Sequence, residues 1–199
     1  MSASLILASA SKSRATVLRN AGVSFIQLPS AVDENAVKNA LRTGAASAAD
    51  CANKLAELKA IEISAKNPAA YVVGCDQMLD CAGRWYDKPT DIAAARRQLQ
   101  ELRGLRHQLF NGMVVARAGV CVWRHSDVAT LEMRNFSDAF LDDYFAQVGD
   151  HALWSVGGYQ IEGLGSQLFS AITGDFFSIL GLPLLPLLAF LREHGAIDS

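Results

Sequence analysis

LILASASKSRATVL, residues 5–18, passes from three apolar residues through a knot of small hydroxyl side chains to an arginine and an apolar helical start. An apolar run that stops on Ser9, Ser11 and Ser13 and continues at Arg14 predicts a strand, a short loop and a helix N-terminus. Such a junction suits an anion, because the first N–H groups of a helix have no intrahelical partner and the dipole there is positive. The same serines also make ordinary N-caps. Arg14 in a first turn opposes the dipole, which favours a nearby anion. Phosphate loop and plain capping both remain open on this stretch alone.

Working outward, the pattern predicts a strand over 5–8 and a helix over 14–21 closed by Gly22, then a strand over 24–28 that Pro29 ends before a loop carrying Asp33 and Glu34. The alanine-rich span 47–66 predicts a helix. Ser47 and Asp50 stand in capping-box spacing, Leu55, Leu58 and Ile61 share one face, and Lys54 and Lys59 fall near the polar flank. YVVGCD, 71–76, predicts a buried strand that delivers Asp76 at its end. Lys88-Pro89 reads as loop, and Ile92, Ala95, Leu99 and Leu102 predict a helix after Thr90-Asp91 that Gly104 stops. Two β-like runs, 107–118 and 120–133, meet at Gly119, and a capped helix follows over 137–147. The apolar run 176–191 predicts a strand, a turn and a buried helix. Strands alternating with helices place the chain in the α/β class.

The chain has 199 residues, enough for a sizeable core, and with no repeat or linker it is expected to form a single domain over 1–199. Hydrophobic residues at 51% against 19% charged exclude a disordered chain. A net charge of -2 supplies no general attraction for nucleic acid or anionic membrane, so no nucleic-acid or membrane partner is expected and an anionic ligand needs a local cluster of cations. The opening MSASLILASA has no basic leader, which predicts no export. The run 176–191 is short for a span and is divided by Gly181, Pro183 and Pro186. Cys51, Cys75, Cys81 and Cys121 form no C-x-x-C pair, which predicts buried reduced thiols in the cytoplasm and no structural zinc. Arg96, Arg97, Arg103 and Arg106 lie among Gln and Glu without interleaved aromatics, the pattern of a solvated helix face. His107 reads as a hydrogen-bonded strand residue or a site histidine. No G-x-G-x-x-G follows the first strand, which removes a dinucleotide-binding oxidoreductase.

The polar residues that interrupt apolar runs are Ser9, Ser11, Arg14, Glu34, Lys59, Asp76, Lys88 and Glu162. Cations hold phosphate oxygens, while carboxylates take magnesium or manganese and orient water, so this mixture suits a polyphosphate with a divalent metal. No nucleophilic triad is required.

Taken together, LILASASKSRATVL with Ser9, Ser11 and Arg14, AVDE with Glu34, KLAELKA with Lys59, VVGCDQ with Asp76, YDKP with Lys88 and the closing GGYQIEGLGSQLFSAITGDFFSILGLPLLPL with Glu162 resemble the Maf family of nucleoside triphosphate pyrophosphatases over nearly the whole chain. The resemblance implies an elongated mixed sheet flanked by helices, with two lobes around a central cleft, and a cytoplasmic homodimer. It implies metal-dependent hydrolysis of a nucleoside triphosphate between the α and β phosphates. Arg14, Ser9 and Ser11 would grip the triphosphate, Lys59 and Lys88 would neutralise the leaving pyrophosphate, and Glu34 and Asp76 would hold Mg2+ or Mn2+ or activate water. Lys12 stands where proline is common and Ser13 where many members carry a second arginine. Gln77, and Glu162 in place of glutamine, resemble the branch associated with methylated GTP and pyrimidine triphosphates; a carboxylate there would favour a cationic methylated guanine. The rival reading is a nucleotide-binding regulator of cell division, acting in septum formation, with catalysis lost.

Overall fold

A computed structural model describes residues 4–198. Met1–Ala3, on which part of the leader expectation rests, lie outside the described residues. The elements run β1 (Leu5–Leu7), α1 (Lys12–Asn20), β2 (Ile26–Gln27), α2 (Glu34–Thr43), α3 (Ala48–Lys66), β3 (Tyr71–Cys81), β4 (Arg84–Tyr86), α4 (Ile92–Leu102), β5 (Arg106–Arg117), β6 (Val120–Met133), α5 (Asp138–Val148), β7 (Phe169–Thr173), α6 (Phe176–Ile179) and α7 (Leu184–Glu193). Seven strands form one mixed sheet in the order β2-β1-β3-β5-β6-β7, with β4 on β3. β1 is parallel to both β2 and β3, whereas β3 with β4 and β6 with β7 are antiparallel. The expected mixed sheet flanked by helices is therefore what the chain forms.

The chain makes two compact units. The first holds the described residues up to Gln77, Phe110–Asp127 and those from Phe176 onward; the second holds Met78–Leu109 and Val128–Asp175. In the first unit strand alternation sorts side chains to two faces. Leu5, Leu7, Tyr71, Val73, Cys75, Met113 and Val115 form one core with Ala15, Val17 and Leu18 of α1 and Leu184, Leu187, Phe190 and Leu191 of α7. On the opposite face Ile6, Ala8 and Val72 pack with Ile63 of α3, and Val114 and Ala116 pack with Ala56 and Ala60. β1 thus feeds a helix on one face, while β3 is preceded by a helix on the other. This is the topological switch at which open α/β sheets bind ligands.

Helix α3 lies on the sheet at backbone distance. A Cβ on Gly74 of β3 would come 2.2 Å from the Ala56 carbonyl oxygen, and one on Gly112 of β5 would come 2.5 Å from that of Ala52. The small face Ala52, Ala56 and Ala60 allows this approach. It also places Lys59, one residue before Ala60, against the sheet. The expected polar-flank position for Lys59 is thereby corrected: the side that packs on the sheet is the alanine side, and Lys59 is buried. At the helix start the capping box is formed, the Ser47 hydroxyl accepting from the Asp50 N–H at 3.1 Å and the Asp50 carboxylate accepting from the Ser47 N–H at 3.0 Å.

Four further differences from the sequence pattern have local causes. α1 begins at Lys12, two residues earlier than expected, because Ser11 caps it. Asp33 caps a helix the pattern did not reveal, so Glu34 is the first residue of α2 and not part of a loop. β3 runs on to Cys81 by pairing with β4, which puts Asp76 inside a strand and not at its end. The expected strand at 176 is the single-turn helix α6, closed by Gly181 at φ +86°, whose N–H donates to the Ser178 carbonyl at 2.9 Å while Leu182 N–H donates to the Phe177 carbonyl at 3.1 Å. Pro186 is accommodated in α7 because it stands in the first turn, where no intrahelical N–H is needed.

In the second unit three of the four arginines expected on one solvated helix face form ion pairs, and one of them, Arg106, stands on β5. Arg96 meets Asp142 at 2.6 Å, Arg103 meets Asp138, and Arg106 meets Glu132 at 3.0 Å. No helix among the described residues is long and apolar enough to cross a membrane.

Gly74→Ala should lower the free energy of unfolding by about 1–3 kcal/mol or more, the usual range for overpacking a tight core. Equilibrium urea unfolding measures this, and an unchanged midpoint would contradict the backbone contact between α3 and β3.

Candidate active site

Six of the eight sequence-predicted residues lie in the first unit: Ser9, Ser11, Arg14, Glu34, Lys59 and Asp76. Lys88 and Glu162 lie in the second. Lys88 is exposed on the loop between β4 and α4, and Glu162 is exposed on a turn of the glycine-rich segment before β7.

Arg14 is the third residue of α1, and its side chain braces the loop that follows β1. Its Nη1 donates to the Ser9 hydroxyl at 3.1 Å and to the Cys75 carbonyl at 2.7 Å, and its Nε donates to the Gly181 carbonyl at 2.8 Å. A guanidinium carries five N–H donors. The two on Nη2 have no protein hydrogen-bond partner among the described residues, so Arg14 keeps donors for an anion while it holds the loop. Ser9 is buried, and its hydroxyl also accepts from the Ser11 N–H at 3.2 Å. The Ser11 hydroxyl caps α1 by accepting from the Arg14 N–H at 3.4 Å. The capping reading of the serines holds at Ser11, and Ser9 is a support for Arg14.

On the α3 face of the sheet, the Lys59 ammonium stands between two carboxylates, 2.6 Å from Asp76 Oδ1 and 2.6 Å from Glu34 Oε1. Lys59 and Asp76 are buried and Glu34 is half-exposed. Burial pushes the Glu34 carboxyl up, but the adjacent Lys59 charge and hydrogen bond, helped by Lys38 and Arg14, outweigh it and hold the group below the usual carboxylate range. Asp76 Oδ2 is buried without a hydrogen-bond partner. A buried carboxylate oxygen in that state has acceptor capacity that no protein donor uses. The oxygens of Asp76 and Glu34 are hard donors of the kind magnesium and manganese take, and Mg2+ is held in many sites by one or two carboxylates, with substrate phosphates and water completing the shell. The residues present thus fit a metal brought to this position, with Asp76 Oδ2 as the oxygen free to bind it.

Cys75, between Gly74 and Asp76, is no nucleophile: burial pushes its thiol up to about 11. Cys51 and Cys81 are likewise buried free thiols, and Cys121 is half-buried.

Sequence reasoning missed several supports. Gln27 of β2 donates to the Ser9 carbonyl at 2.9 Å, fixing the loop from its other side. Gly181 offers the carbonyl that anchors Arg14, and a Cβ there would come 3.2 Å from Arg14 Nε. The Gln77 amide nitrogen faces the carbonyls of Ser178 at 3.0 Å and Ile179 at 3.1 Å and Asn111 Oδ1 at 3.1 Å. Main-chain carbonyls only accept, so the orientation of this amide is fixed and only its oxygen is left to meet a ligand. The Ser178 hydroxyl donates to Asp127 Oδ2. Such partners join residues up to 167 positions apart, and no local pattern announces them.

His107 proves to be the strand residue. It is buried on β5, with Nε2 2.7 Å from the Tyr159 hydroxyl and Nδ1 without a partner, and burial pushes it down to about 4.

The family profile described as "Maf-like protein" matches residues 4–194. A protein of Paramagnetospirillum magneticum named nucleoside triphosphate pyrophosphatase is 52% identical over 96% of this chain and 99% of its own length. Proteins named 7-methyl-GTP pyrophosphatase are 49% identical over the full length of both chains in Brucella abortus and 47% identical over 98% of each chain in Rhizobium meliloti.

A buried neutral histidine makes stability depend on pH. The unfolded chain takes up the proton below about pH 6.5 and the folded chain only near 4, so stability is complete above 6.5 and falls through that window at up to about 1.4 kcal/mol per pH unit. Between pH 6.5 and 5 the wild type should lose about 2 kcal/mol more than His107→Gln in urea unfolding; parallel losses would place His107 in water.

Proposed function

The chain belongs to the Maf-like protein family, and on that premise we propose that it hydrolyses nucleoside triphosphates between the α and β phosphates, releasing a nucleoside monophosphate and pyrophosphate. It is a hydrolase acting on phosphoanhydrides. The observation that carries the reading is the buried Lys59 and Asp76 pair joined to the half-exposed Glu34, in which Asp76 Oδ2 is left without a hydrogen-bond partner.

Each residue has a role that its geometry allows. Arg14 directs its two remaining donors at phosphate oxygens while Ser9, Cys75 and Gly181 keep its guanidinium in place. Lys59, with two of its three N–H donors engaged, has a third for a phosphate oxygen and neutralises charge as the pyrophosphate leaves. Lys88, on the loop after β4, is the second cation that the family resemblance implies for the leaving pyrophosphate. Glu34 and Asp76 would hold Mg2+ or Mn2+, which supplies Lewis-acid polarisation of the phosphates when bound. Asp76 Oδ2 is equally suited to orient the attacking water.

For the base, the reading includes 7-methyl-GTP, or pyrimidine triphosphates, as preferred substrate. The names of the Brucella and Rhizobium relatives support the first, and so does Glu162, whose carboxylate would favour a cationic methylated guanine over a neutral one. The family resemblance adds a homodimer and a cytoplasmic setting.

A panel of nucleotides assayed with Mg2+ and Mn2+ tests the proposal. Pyrophosphate and monophosphate are the expected products; orthophosphate, or tight binding without turnover, would overturn it, the latter in favour of a regulator. Asp76→Asn should lower kcat by at least about a hundredfold. Glu162→Gln should shift kcat/KM away from methylated guanine nucleotides, and an unchanged preference would remove Glu162 from base selection.

A further inference from the structure

We infer that Lys59 is the built-in counter-ion of the Glu34 and Asp76 carboxylates and keeps them from taking a divalent cation until a triphosphate gives the ammonium another partner, so that metal and nucleotide bind together and not in sequence. The inference rests on the hydrolase reading and deepens it.

The argument begins with charge. Glu34 and Asp76 carry two negative charges, and one ammonium stands 2.6 Å from an oxygen of each. The three side chains together carry about -1, Lys38 and Arg14 add positive charge beside Glu34, and a divalent ion sharing those oxygens would meet the Lys59 charge at close range. Among the described residues no third carboxylate, histidine or cysteine joins them in a metal-holding group. Coordination has to be completed from outside the protein.

Lys59 is not able to retreat into water. Its side chain is 7% exposed, and it rises from the face of α3 that bears Ala56 and Ala60 against the sheet. What can release the carboxylates is a new anion within reach of Nζ, whose third N–H has no part in either ion pair. Triphosphate oxygens are such anions, and the same ligand brings further oxygens to a metal. Asp76 Oδ2, buried and without a hydrogen-bond partner, is the protein oxygen that Lys59 does not engage. The nucleotide thus lowers the barrier to metal binding twice, by drawing off the competing charge and by adding ligands. Linkage makes the effect reciprocal: metal must tighten nucleotide binding by the same factor.

The test is titration of the full-length protein with Mn2+ followed by electron paramagnetic resonance of the free ion, with and without a triphosphate carrying a methylene group between the α and β phosphorus atoms. Wild type should bind Mn2+ about fifty-fold more tightly with the analogue than without it, beyond the affinity of the analogue alone for Mn2+. Lys59→Gln, checked for folding by circular dichroism, should bind Mn2+ without nucleotide about tenfold more tightly than wild type. Wild type needs no variant to decide the matter: one Mn2+ bound with equal affinity in both titrations overturns the inference while leaving the hydrolase reading intact. A folded Lys59→Gln whose affinity for Mn2+ alone is no greater than that of wild type also overturns it. Failure of the hydrolase reading shows separately, as absence of pyrophosphate in the substrate panel.

Discussion

The closeness of α3 to the sheet is the constraint on which the site depends. Gly74 and Gly112 have no side chains because the carbonyls of Ala56 and Ala52 occupy the space where a Cβ would stand. The helix therefore sits lower over β3 than larger residues would permit, and a lysine on its inner side has nowhere to go except along the sheet. Strand alternation puts Gly74 and Asp76 on that same side, so the short reach between helix and strand becomes a 2.6 Å ion pair. Packing and chemistry share one cause: the small residues that bring the backbones together also bring Lys59 to Asp76.

Arg14 works by a comparable economy on the other face. Its guanidinium touches the loop after β1, the Cys75 carbonyl on β3 and the Gly181 carbonyl beside α6, three segments remote in sequence. The planar fork of arginine makes this possible, since donors pointing in fixed directions can serve structure on one edge and a ligand on the other. A lysine would supply charge without the fork. The C-terminal segment is thereby tied to the serine loop, and Gln77 ties it a second time through the carbonyls of Ser178 and Ile179.

Much of this architecture could be read from local sequence because its causes are local. Ser47 and Asp50 announce their helix through a capping box, Gly104 and Gly119 mark turns at positive φ, and apolar alternation marks the long strands. Where the reading failed, the deciding contact lay far away. Lys59 looked like a flank residue because Leu55, Leu58 and Ile61 seemed to define the buried side, yet the sheet takes the alanine side. Glu34 looked like loop because Pro29 and the Asp33-Glu34 pair suggest a turn, although Val37, Ala40 and Leu41 do recur at helical spacing along α2. Asp76 looked terminal because Gly74 breaks the apolar run, whereas that glycine serves helix contact and the strand continues. The motifs named the candidate residues; the contacts that hold Arg14 and the loop after β1, from Gln27 and Gly181, leave no pattern in sequence.

The ion pair itself is poor evidence of a stabilising design. Removing two charges from water costs several kcal/mol each, and well-packed apolar replacements of buried pairs are often neutral or better for stability. An unpaired buried carboxylate oxygen adds about 1–3 kcal/mol of desolvation penalty. A chain selected for stability alone would place an aliphatic pair there, as α3 and β5 do with Ala60 and Val114. That Lys59 and Asp76 stand there instead, with one oxygen unmet, is a cost that the proposed metal and triphosphate would offset. The cost is carried by the surrounding alanine and glycine packing, which is also what holds the charges in position.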